Sequence, residues 1–342
     1  MKTKFRVLRK VSTTATSAFL RGARTLGLAA ALCGLGWMPA HAQSDEIVLT
    51  WHGQGTTVIE TEGDTLLIDA FFVQNIDIPI PPALADLPGD VKLILLTHGH
   101  ADHFGNALDL LNDAAASDPP KDLLLAANSE LVRNLVSYGL ADPRRVIDMN
   151  KGGKLVPGQT IQLGRLVPGF NRLFPDVGGV AEIIMVPAEH SSSLFIPLGL
   201  PGREDVGGTF VTGGEAVGYL IRFKTGFTLY HAGDTYVFEE MRTIGERHDI
   251  DLALLPIGGN FTMDPVDAAF AAVELLRPRF VIPIHYAQGA PRGFSPALTG
   301  TPEQFVEALG RRRNVKVVIP ERGQQVLLTG AGPNARVTLL GD

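Results

Sequence analysis

Apolar and polar positions vary along the chain in a pattern that predicts many short strands. The runs 46–51, 56–60 and 65–70 predict an antiparallel meander, with a turn at Glu62-Gly63-Asp64. The run 91–97, VKLILLT, is apolar at nearly every position, which is typical of a strand buried on both faces. Further apolar runs predict strands at 182–186, 218–223, 227–232, 252–256 and 280–285.

Segments with helical spacing of apolar residues lie between these runs. They predict helices at 105–116, 129–138, 264–276 and 302–312. The third has the clearest start, because Asp264 can cap the helix and Pro265 suits its first position. Two stretches rich in glycine and proline, 165–180 and 194–214, predict loops. This mixture predicts an α/β protein, and 342 residues suffice for one large domain or two small ones.

Residues 1–42 differ in composition from the rest of the chain. They contain seven Lys and Arg residues, no acidic residue, the apolar run LGLAAALCGLGW and the pattern Ala40-His41-Ala42. This order predicts a secretory signal peptide cleaved after Ala42, and therefore a periplasmic or secreted protein. The alternatives are an organelle transit peptide and a lipoprotein signal at Cys33, for which Leu32 is too large at the preceding position.

Removal of this segment makes the chain strongly acidic. The whole chain has 30 basic and 36 acidic residues; without the seven basic residues, 23 remain against 36, a net charge of −13. This balance argues against a nucleic-acid partner. The only cysteine is removed as well, so the mature chain has neither a disulfide nor a thiol ligand. We expect a small-molecule substrate and no stable membrane insertion after signal removal, and homo-oligomerisation stays open.

The residues with the most distinctive chemistry follow the apolar run 91–97. They are His98, His100, Asp102 and His103. Residues two apart in an extended chain point the same way, so His98 and His100 can reach one ion, and the next two can reach a second. Imidazole and carboxylate groups suit zinc and its first-row neighbours. A histidine-rich polar loop is the alternative, but this spacing at a strand end predicts a metal site.

The H-x-H-x-D-H motif resembles that of the metallo-β-lactamase superfamily. The resemblance is greatest to a group of small metal-dependent hydrolases related to the ascorbate-6-phosphate lactonases. It covers most of residues 47–330 and is most extended over 230–268, YHAGDTYVFEEMRTIGERHDIDLALLPIGGNFTMDPVDA. It implies an αββα sandwich, with two β-sheets packed face to face and helices outside, in a single domain over 43–342.

The resemblance also implies a centre with two divalent ions, for which zinc is expected and manganese or iron are alternatives. The ligands implied for the first ion are His98, His100 and His190, those for the second are Asp102, His103 and His285, and the bridging ligand is Asp234. A hydroxide between the ions would attack the substrate. Asp102 would also act catalytically by orienting this nucleophile and passing on its proton.

The sequence departs from the family where substrates are expected to bind. The turn 51–55 reads WHGQG where the family tends to have a Gly-His pair, and AQGAP follows Tyr286 in place of Asn-Thr-Phe-Pro. Apolar residues outnumber basic ones in the loops 165–180 and 194–214, which favours esters, lactones or related acyl compounds with an apolar body. The alternatives are a phosphodiesterase or phospholipase-like enzyme, a β-lactam hydrolase, and a metal-binding protein without hydrolytic turnover.

Five further residues are candidates for supporting or substrate contacts: Asp69, His231, Asn260, Thr262 and Tyr286. Asp69 could orient a ligand histidine or cap its strand. His231 could contact substrate or make a structural hydrogen bond. Asn260 and Thr262 lie in a loop that resembles the site-lining segment of the family. Tyr286 could donate a hydrogen bond to an oxyanion or pack as an aromatic residue.

Overall fold

The computed structural model of the chain describes residues 46–72, 84–150, 153–156, 160–162, 171–174, 176–197, 207–287, 297–310 and 314–341. All of them lie in the structural unit Gln43–Asp342. The predicted signal peptide at 1–42 and much of the predicted loop at 165–180 lie outside the described residues. Within the described ranges, no helix has both the length and the apolar character needed to cross a membrane.

The described residues form 19 strands and six α-helices. The strands are β1 (Ile47–Trp51), β2 (Thr57–Thr61), β3 (Asp64–Ile68), β4 (Asp90–Leu95), β5 (Leu124–Ala127), β6 (Val146–Asp148), β7 (Lys154–Leu155), β8 (Thr160–Gln162), β9 (Asn171–Leu173), β10 (Val180–Pro187), β11 (Ser193–Pro197), β12 (Gly208–Thr212), β13 (Val217–Phe223), β14 (Thr228–His231), β15 (Leu252–Pro256), β16 (Phe280–Ile284), β17 (Lys316–Val317), β18 (Gln325–Thr329) and β19 (Arg336–Leu339). The α-helices are α1 (Ala101–Phe104), α2 (Ala107–Ala116), α3 (Ser129–Ser137), α4 (Glu240–Arg247), α5 (Pro265–Phe270) and α6 (Pro302–Leu309).

Most strands belong to two large sheets. The first has eight strands in the order β19-β18-β1-β2-β3-β4-β5-β6, and the second has seven in the order β17-β16-β15-β14-β13-β10-β7. The predicted meander is confirmed, since β1, β2 and β3 pair antiparallel. Strands β3 to β6 are parallel, as are β14 to β17. The carboxyl ends of parallel strands meet at one sheet edge, which is where open α/β sheets bind ligands.

Alternate residues of the first sheet face two different apolar layers. One set packs against the second sheet and includes Ile59, Leu66, Ile68, Leu93 and Leu95. The other set packs beneath α2 and α3 and includes Val58, Leu67, Ile94, Leu96 and Leu125. Residues of α4, α5 and α6 join the core on the side of the second sheet. The predicted αββα arrangement is therefore confirmed.

Two predicted helices differ in detail from the structure. The helix predicted at 105–116 begins instead at Ala107, because Gly105 has a φ of +41° and a β-carbon there would clash with the Ala70 carbonyl oxygen. This close approach separates α1 from α2 and requires glycine. The helix predicted at 264–276 begins at Pro265 with Asp264 as its cap, but it continues from Ala271 to Leu276 as a π-helix.

The loop predicted at 194–214 is wrong in part, because its two ends pair as the antiparallel hairpin of β11 and β12. The high glycine and proline content of the segment predicted a loop, although buried Leu194 and Ile196 alternate with exposed Phe195 as in a strand. The hairpin is stabilised by its packing on the core rather than by strand propensity alone.

Candidate metal centre

The ends of four strands bring the seven predicted ligands together. Strand β4 leads through Thr97 to His98 and His100, and the short helix α1 carries Asp102 and His103. His190 follows β10, Asp234 follows β14 and His285 follows β16. Their ligand atoms fall into three groups in which all atoms lie within 4.8 Å of one another: His98–His100–His190, His98–His103–Asp234 and Asp102–His103–His285.

Asp234 lies at the centre of this cluster and is almost fully buried. Its Oδ2 atom is 3.3 Å from Nε2 of His103, 3.1 Å from Nε2 of His285 and 3.7 Å from Nε2 of His190. One carboxylate oxygen therefore reaches histidines from both predicted ligand sets. This is the position that a bridging ligand requires.

The set His98, His100 and His190 is suited to bind a cation without losing protons. Nε2 of His98 lies 2.9 Å from Nδ1 of His100. Burial is the main cause that lowers the pKa of all three imidazoles, so they are neutral near pH 7. Neutral imidazole is the form that binds a metal.

The set Asp102, His103 and His285 consists of charged groups when no metal is bound. Oδ2 of Asp102 is 3.5 Å from Nε2 of His285 and 3.9 Å from Nε2 of His103. Burial alone would lower the pKa of His285, but Asp234 and Asp102 raise it to about 9. Burial would likewise raise the pKa of Asp102, but His103 and His285 hold it well below its usual range. Without a metal, this set therefore carries imidazolium–carboxylate pairs.

Asp69 holds His103 from the side opposite Asp234. The Asp69 carboxylate is fully buried, and its Oδ2 lies 2.7 Å from Nδ1 of His103. Its Oδ1 also accepts a hydrogen bond of 2.8 Å from the Thr97 backbone N–H. With Nδ1 donating to Asp69, Nε2 of His103 faces the cluster. Such a contact fixes both the tautomer and the ring orientation of a ligand histidine.

The residues present fit a divalent metal. Among the described residues, Nε2 of His103 and Oδ1 of Asp234 are buried without a hydrogen-bond partner. Buried polar atoms rarely stay unpaired, because desolvation without a partner is costly. Five imidazoles and two carboxylates are also the donors that zinc, manganese and iron share.

The backbone is strained at several residues around the cluster. Gln54, Asp69, Asn260 and His285 have positive φ values between 45° and 61°, in a region that side-chain-bearing residues seldom adopt. Such conformations persist where surrounding structure imposes them, and they concentrate at functional sites. The strain is consistent with a preorganised centre.

Gln54 is a site residue that the sequence interpretation did not assign. Its side-chain amide Nε2 donates to Oδ2 of Asp102 at 3.3 Å and lies 3.3 Å from Nε2 of His285. The residue is 1% exposed, and its Oε1 has no partner among the described residues. Gln54 occupies the turn at which the sequence departs from the Gly-His pair of the family, and that departure was the available signal.

The other candidates lie around the cluster in supporting positions. His231 is fully buried; its Nε2 is 2.9 Å from the Gly55 carbonyl and its Nδ1 accepts from the Gly233 backbone N–H, while burial lowers its pKa to about 4. Tyr286 stacks on Trp51 with ring centroids 5.1 Å apart. Burial raises the pKa of Tyr286 to about 12. These contacts describe structural hydrogen bonding and aromatic packing.

The predicted site-lining loop packs beside Asp234 and forms contacts of its own. Asn260 donates its amide to the Ala297 carbonyl at 2.8 Å, and the buried Thr262 hydroxyl donates to the Met263 carbonyl at 3.4 Å. The Met263 backbone N–H donates to the carbonyl of Thr235, the residue after Asp234. Substrate contact by Asn260 or Thr262 stays a prediction.

Comparison with known proteins adds to this geometry. The sequence model of the β-lactamase superfamily domain matches residues 64–286, a range that contains all seven candidate ligands. A UPF0173 metal-dependent hydrolase from Cupriavidus taiwanensis is 37% identical over 293 residues, which cover 84% of this chain and 89% of that protein. Another from Rubrobacter xylanophilus is 36% identical and covers 80% and 93%. The structure of Igni18, a metallo hydrolase from Ignicoccus hospitalis, matches with a TM-score of 0.60 and 27% identity, covering 83% of this chain and 99% of that one.

Proposed function

The chain belongs to the metallo-β-lactamase superfamily as a metal-dependent hydrolase, and from that premise we propose that it binds two divalent ions and cleaves esters, lactones or related small acyl compounds. The observation that carries the proposal is the position of Asp234. One of its oxygens lies within 3.7 Å of histidine nitrogens from both ligand sets. A ligand shared in this way supports two neighbouring ions rather than one.

The proposed ligands have distinct tasks. His98, His100 and His190 would hold one ion, Asp102, His103 and His285 would hold the other, and Asp234 would be shared. When bound, two such ions supply a water nucleophile of lowered pKa and polarise the electrophilic oxygen of the substrate. Zinc is the expected metal, with manganese and iron as alternatives that the same donors accept.

Asp102 is the residue proposed to move the proton. Its side chain is 15% exposed, whereas those of His103 and Asp234 are 0% and 3% exposed, so Asp102 is the most accessible of the three to water. Its pKa is held well below the usual range, so the carboxylate is ionised and can accept a hydrogen bond from the attacking water. It would take the proton of the attacking water and return it to the leaving oxygen.

The composition of the predicted substrate loops favours acyl over phosphoryl substrates. A phosphodiester needs cationic side chains to hold its charge, preferably arginine with its planar donor pair. The loops 165–180 and 194–214 contain three basic residues, Arg165, Arg172 and Arg203, among a larger number of apolar ones. The phosphodiesterase and β-lactam hydrolase alternatives lack a comparable supporting observation.

The test combines metal analysis with a matched substrate panel. We expect two ions per chain and a higher kcat/KM for an aryl ester or lactone than for the matched aryl phosphodiester, with zinc and manganese each supplied. Faster phosphodiester cleavage with either metal would overturn the substrate assignment. Two bound ions with no turnover on any substrate would favour a non-hydrolytic metal-binding protein.

We also propose that the protein is exported and acts in the periplasm or outside the cell. The support is the order of basic region, short apolar run and Ala-x-Ala pattern within residues 1–42. The mature chain should begin at Gln43, and intact-mass measurement on the periplasmic fraction tests this. A cytoplasmic protein that retains Met1 would contradict the proposal.

A further inference from the structure

We propose that the β11–β12 hairpin forms, beside His100, the binding site for the apolar acyl group of the substrate. This inference rests on the proposed ester or lactone hydrolysis and adds which part of the fold selects the substrate. The site is defined by Phe104, Leu194, Phe195 and Phe210, together with His100 and the adjoining backbone.

A cavity of about 220 Å³ opens at this place. It is lined by residues 99–101, Phe104 and Gly105 on one side, and by Ser193, Leu194, Phe195 and Phe210 on the other. The cavity includes His100, a candidate metal ligand, so a group bound in it lies directly next to the proposed reaction centre. No Lys, Arg, Asp or Glu is among these lining residues.

Two phenylalanines of the hairpin are exposed without a packing reason of their own. Phe195 and Phe210 are opposite each other in the strand register, with ring centroids 5.2 Å apart. They are 47% and 71% exposed, whereas Leu194 and Ile196 on the other face of β11 are buried in the core. The fold therefore uses one face of the hairpin for stability and leaves an aromatic pair on the other. Large apolar side chains kept in water beside a reaction centre indicate a binding surface.

The hairpin is fixed to the loop that carries the ligands. The Gly99 backbone N–H donates to the Ser192 hydroxyl at 3.2 Å, and a β-carbon on Gly99 would lie 2.9 Å from the Ser193 carbonyl oxygen. At the same base of the hairpin, just after β12, the Asn128 amide donates to the carbonyl oxygens of Gly213 and Glu215 at 2.7 and 2.9 Å. These contacts fix the base of the hairpin, and the aromatic pair that it carries is therefore held at a set position relative to His100.

The cavity size limits the group that it accepts. An apolar cavity of about 150 Å³ is enough to bind benzene, so this space of about 220 Å³ suits a phenyl ring or a short alkyl chain. An apolar acyl group of that size should bind, a charged acyl group should be disfavoured by desolvation, and longer chains should gain little more.

The test uses the metal-loaded full chain and trifluoroethyl esters of acetic, hexanoic, decanoic and succinic acids, whose leaving group is small. We expect kcat/KM to rise from acetate to hexanoate, to level off at decanoate and to be low for succinate. Phe210→Ser should lower the hexanoate-to-acetate ratio by about tenfold, mainly through KM, since one apolar group typically contributes discrimination of this order. The matched control is Phe270→Ser on α5, a phenylalanine of 46% exposure outside the cavity, which should leave the ratio unchanged.

Direct binding separates failure of this inference from failure of the proposed function. Hexanoate, the acyl product, should bind more tightly than acetate in calorimetry, and Phe210→Ser should remove the difference even if none of the esters is turned over. Ester turnover with an unchanged ratio in Phe210→Ser would overturn the inference and leave the hydrolase proposal intact. If Phe210→Ser instead converts a dimer into a monomer at an unchanged ratio, the aromatic pair is a self-association surface and the inference is wrong.

Discussion

Replacing Asp69 with asparagine tests whether the centre depends on a fixed histidine tautomer. The substitution keeps the size of the side chain but exchanges one acceptor oxygen for an amide donor. The remaining oxygen can still accept from the Thr97 backbone N–H, which lies 2.8 Å from Oδ1. The new amide cannot accept from Nδ1 of His103, whose nitrogen lies 2.7 Å from Oδ2. His103 must then leave Nδ1–H unpaired or place its proton on Nε2, the nitrogen that faces the other ligands.

The expected magnitude follows from these contacts. Loss of an outer partner of a ligand histidine lowers metal affinity about 10- to 100-fold, and this corresponds to about 1.4–2.7 kcal/mol. The metal-free protein should also lose about 1–3 kcal/mol of unfolding free energy, because one buried donor is left without an acceptor. The loss of metal affinity is the specific effect, since any buried substitution can lower stability.

The assay is zinc affinity from competition with a chromophoric chelator, together with urea unfolding of the metal-free protein. Asp251→Asn is the matched control, because Asp251 is 1% exposed and accepts from the backbone N–H groups of Thr228 and Gly332 at 3.0 and 2.8 Å, away from the cluster. It should lose stability and keep wild-type zinc affinity. Equal zinc affinities in Asp69→Asn, Asp251→Asn and the wild type would refute the orienting role of Asp69.

Three further predictions concern the ligands and their neighbours. Asp234→Ala should release at least one ion and abolish turnover. The control His248→Ala should change neither, because the His248 ring contacts Arg222 outside the cluster. Two bound ions with full activity in Asp234→Ala would show that the ligand assignment is wrong. Gln54→Ala should lower kcat/KM about 10- to 100-fold with the metal content retained, because a hydrogen bond to a charged group contributes about 1.5–3 kcal/mol. An unchanged kcat/KM would contradict its role. On acidification from pH 9 to pH 6, the ion held by Asp102, His103 and His285 should be lost first. The pKa of His285 is about 9, so protons compete with this ion throughout the range, whereas the pKa of His98 in the other set is lowered. The reason is that a protonated ligand must release its proton before it binds the metal. Metal analysis along the titration checks this order, and simultaneous loss from both sets would contradict it.

The sequence by itself determined the donors of the centre and many of the elements, although it did not predict α4, β5, β6, β18 or β19. Strand β4 is apolar on both faces because it is covered by the second sheet on one side and by helices on the other. Such a strand appears in the sequence as a continuous apolar run. The spacing of His98, His100, Asp102 and His103 after it is local, so it needs no tertiary information. The family resemblance then supplied His190, Asp234 and His285 as partners.

Other features escaped the sequence because they depend on contacts between distant segments. The hairpin of β11 and β12 resembled a loop, since its glycine and proline residues concealed a strand pattern that becomes stable only on the core. For Gln54 the only signal was the departure of its turn from the family pattern, because an amide becomes part of the site only when His285 is brought to it from 231 positions away.

Only the tertiary structure decided the charge state and surroundings of the centre. His98 and His103 are chemically identical and five positions apart, yet burial lowers the pKa of His98, whereas Asp234 and Asp69 overcome burial and raise that of His103. Sequence spacing carries no information on such differences, because they arise from distances between groups on different strands and from the exclusion of water. In the same way, Phe195 and Phe210 are two apolar residues in the sequence, and only the hairpin register places them together beside His100.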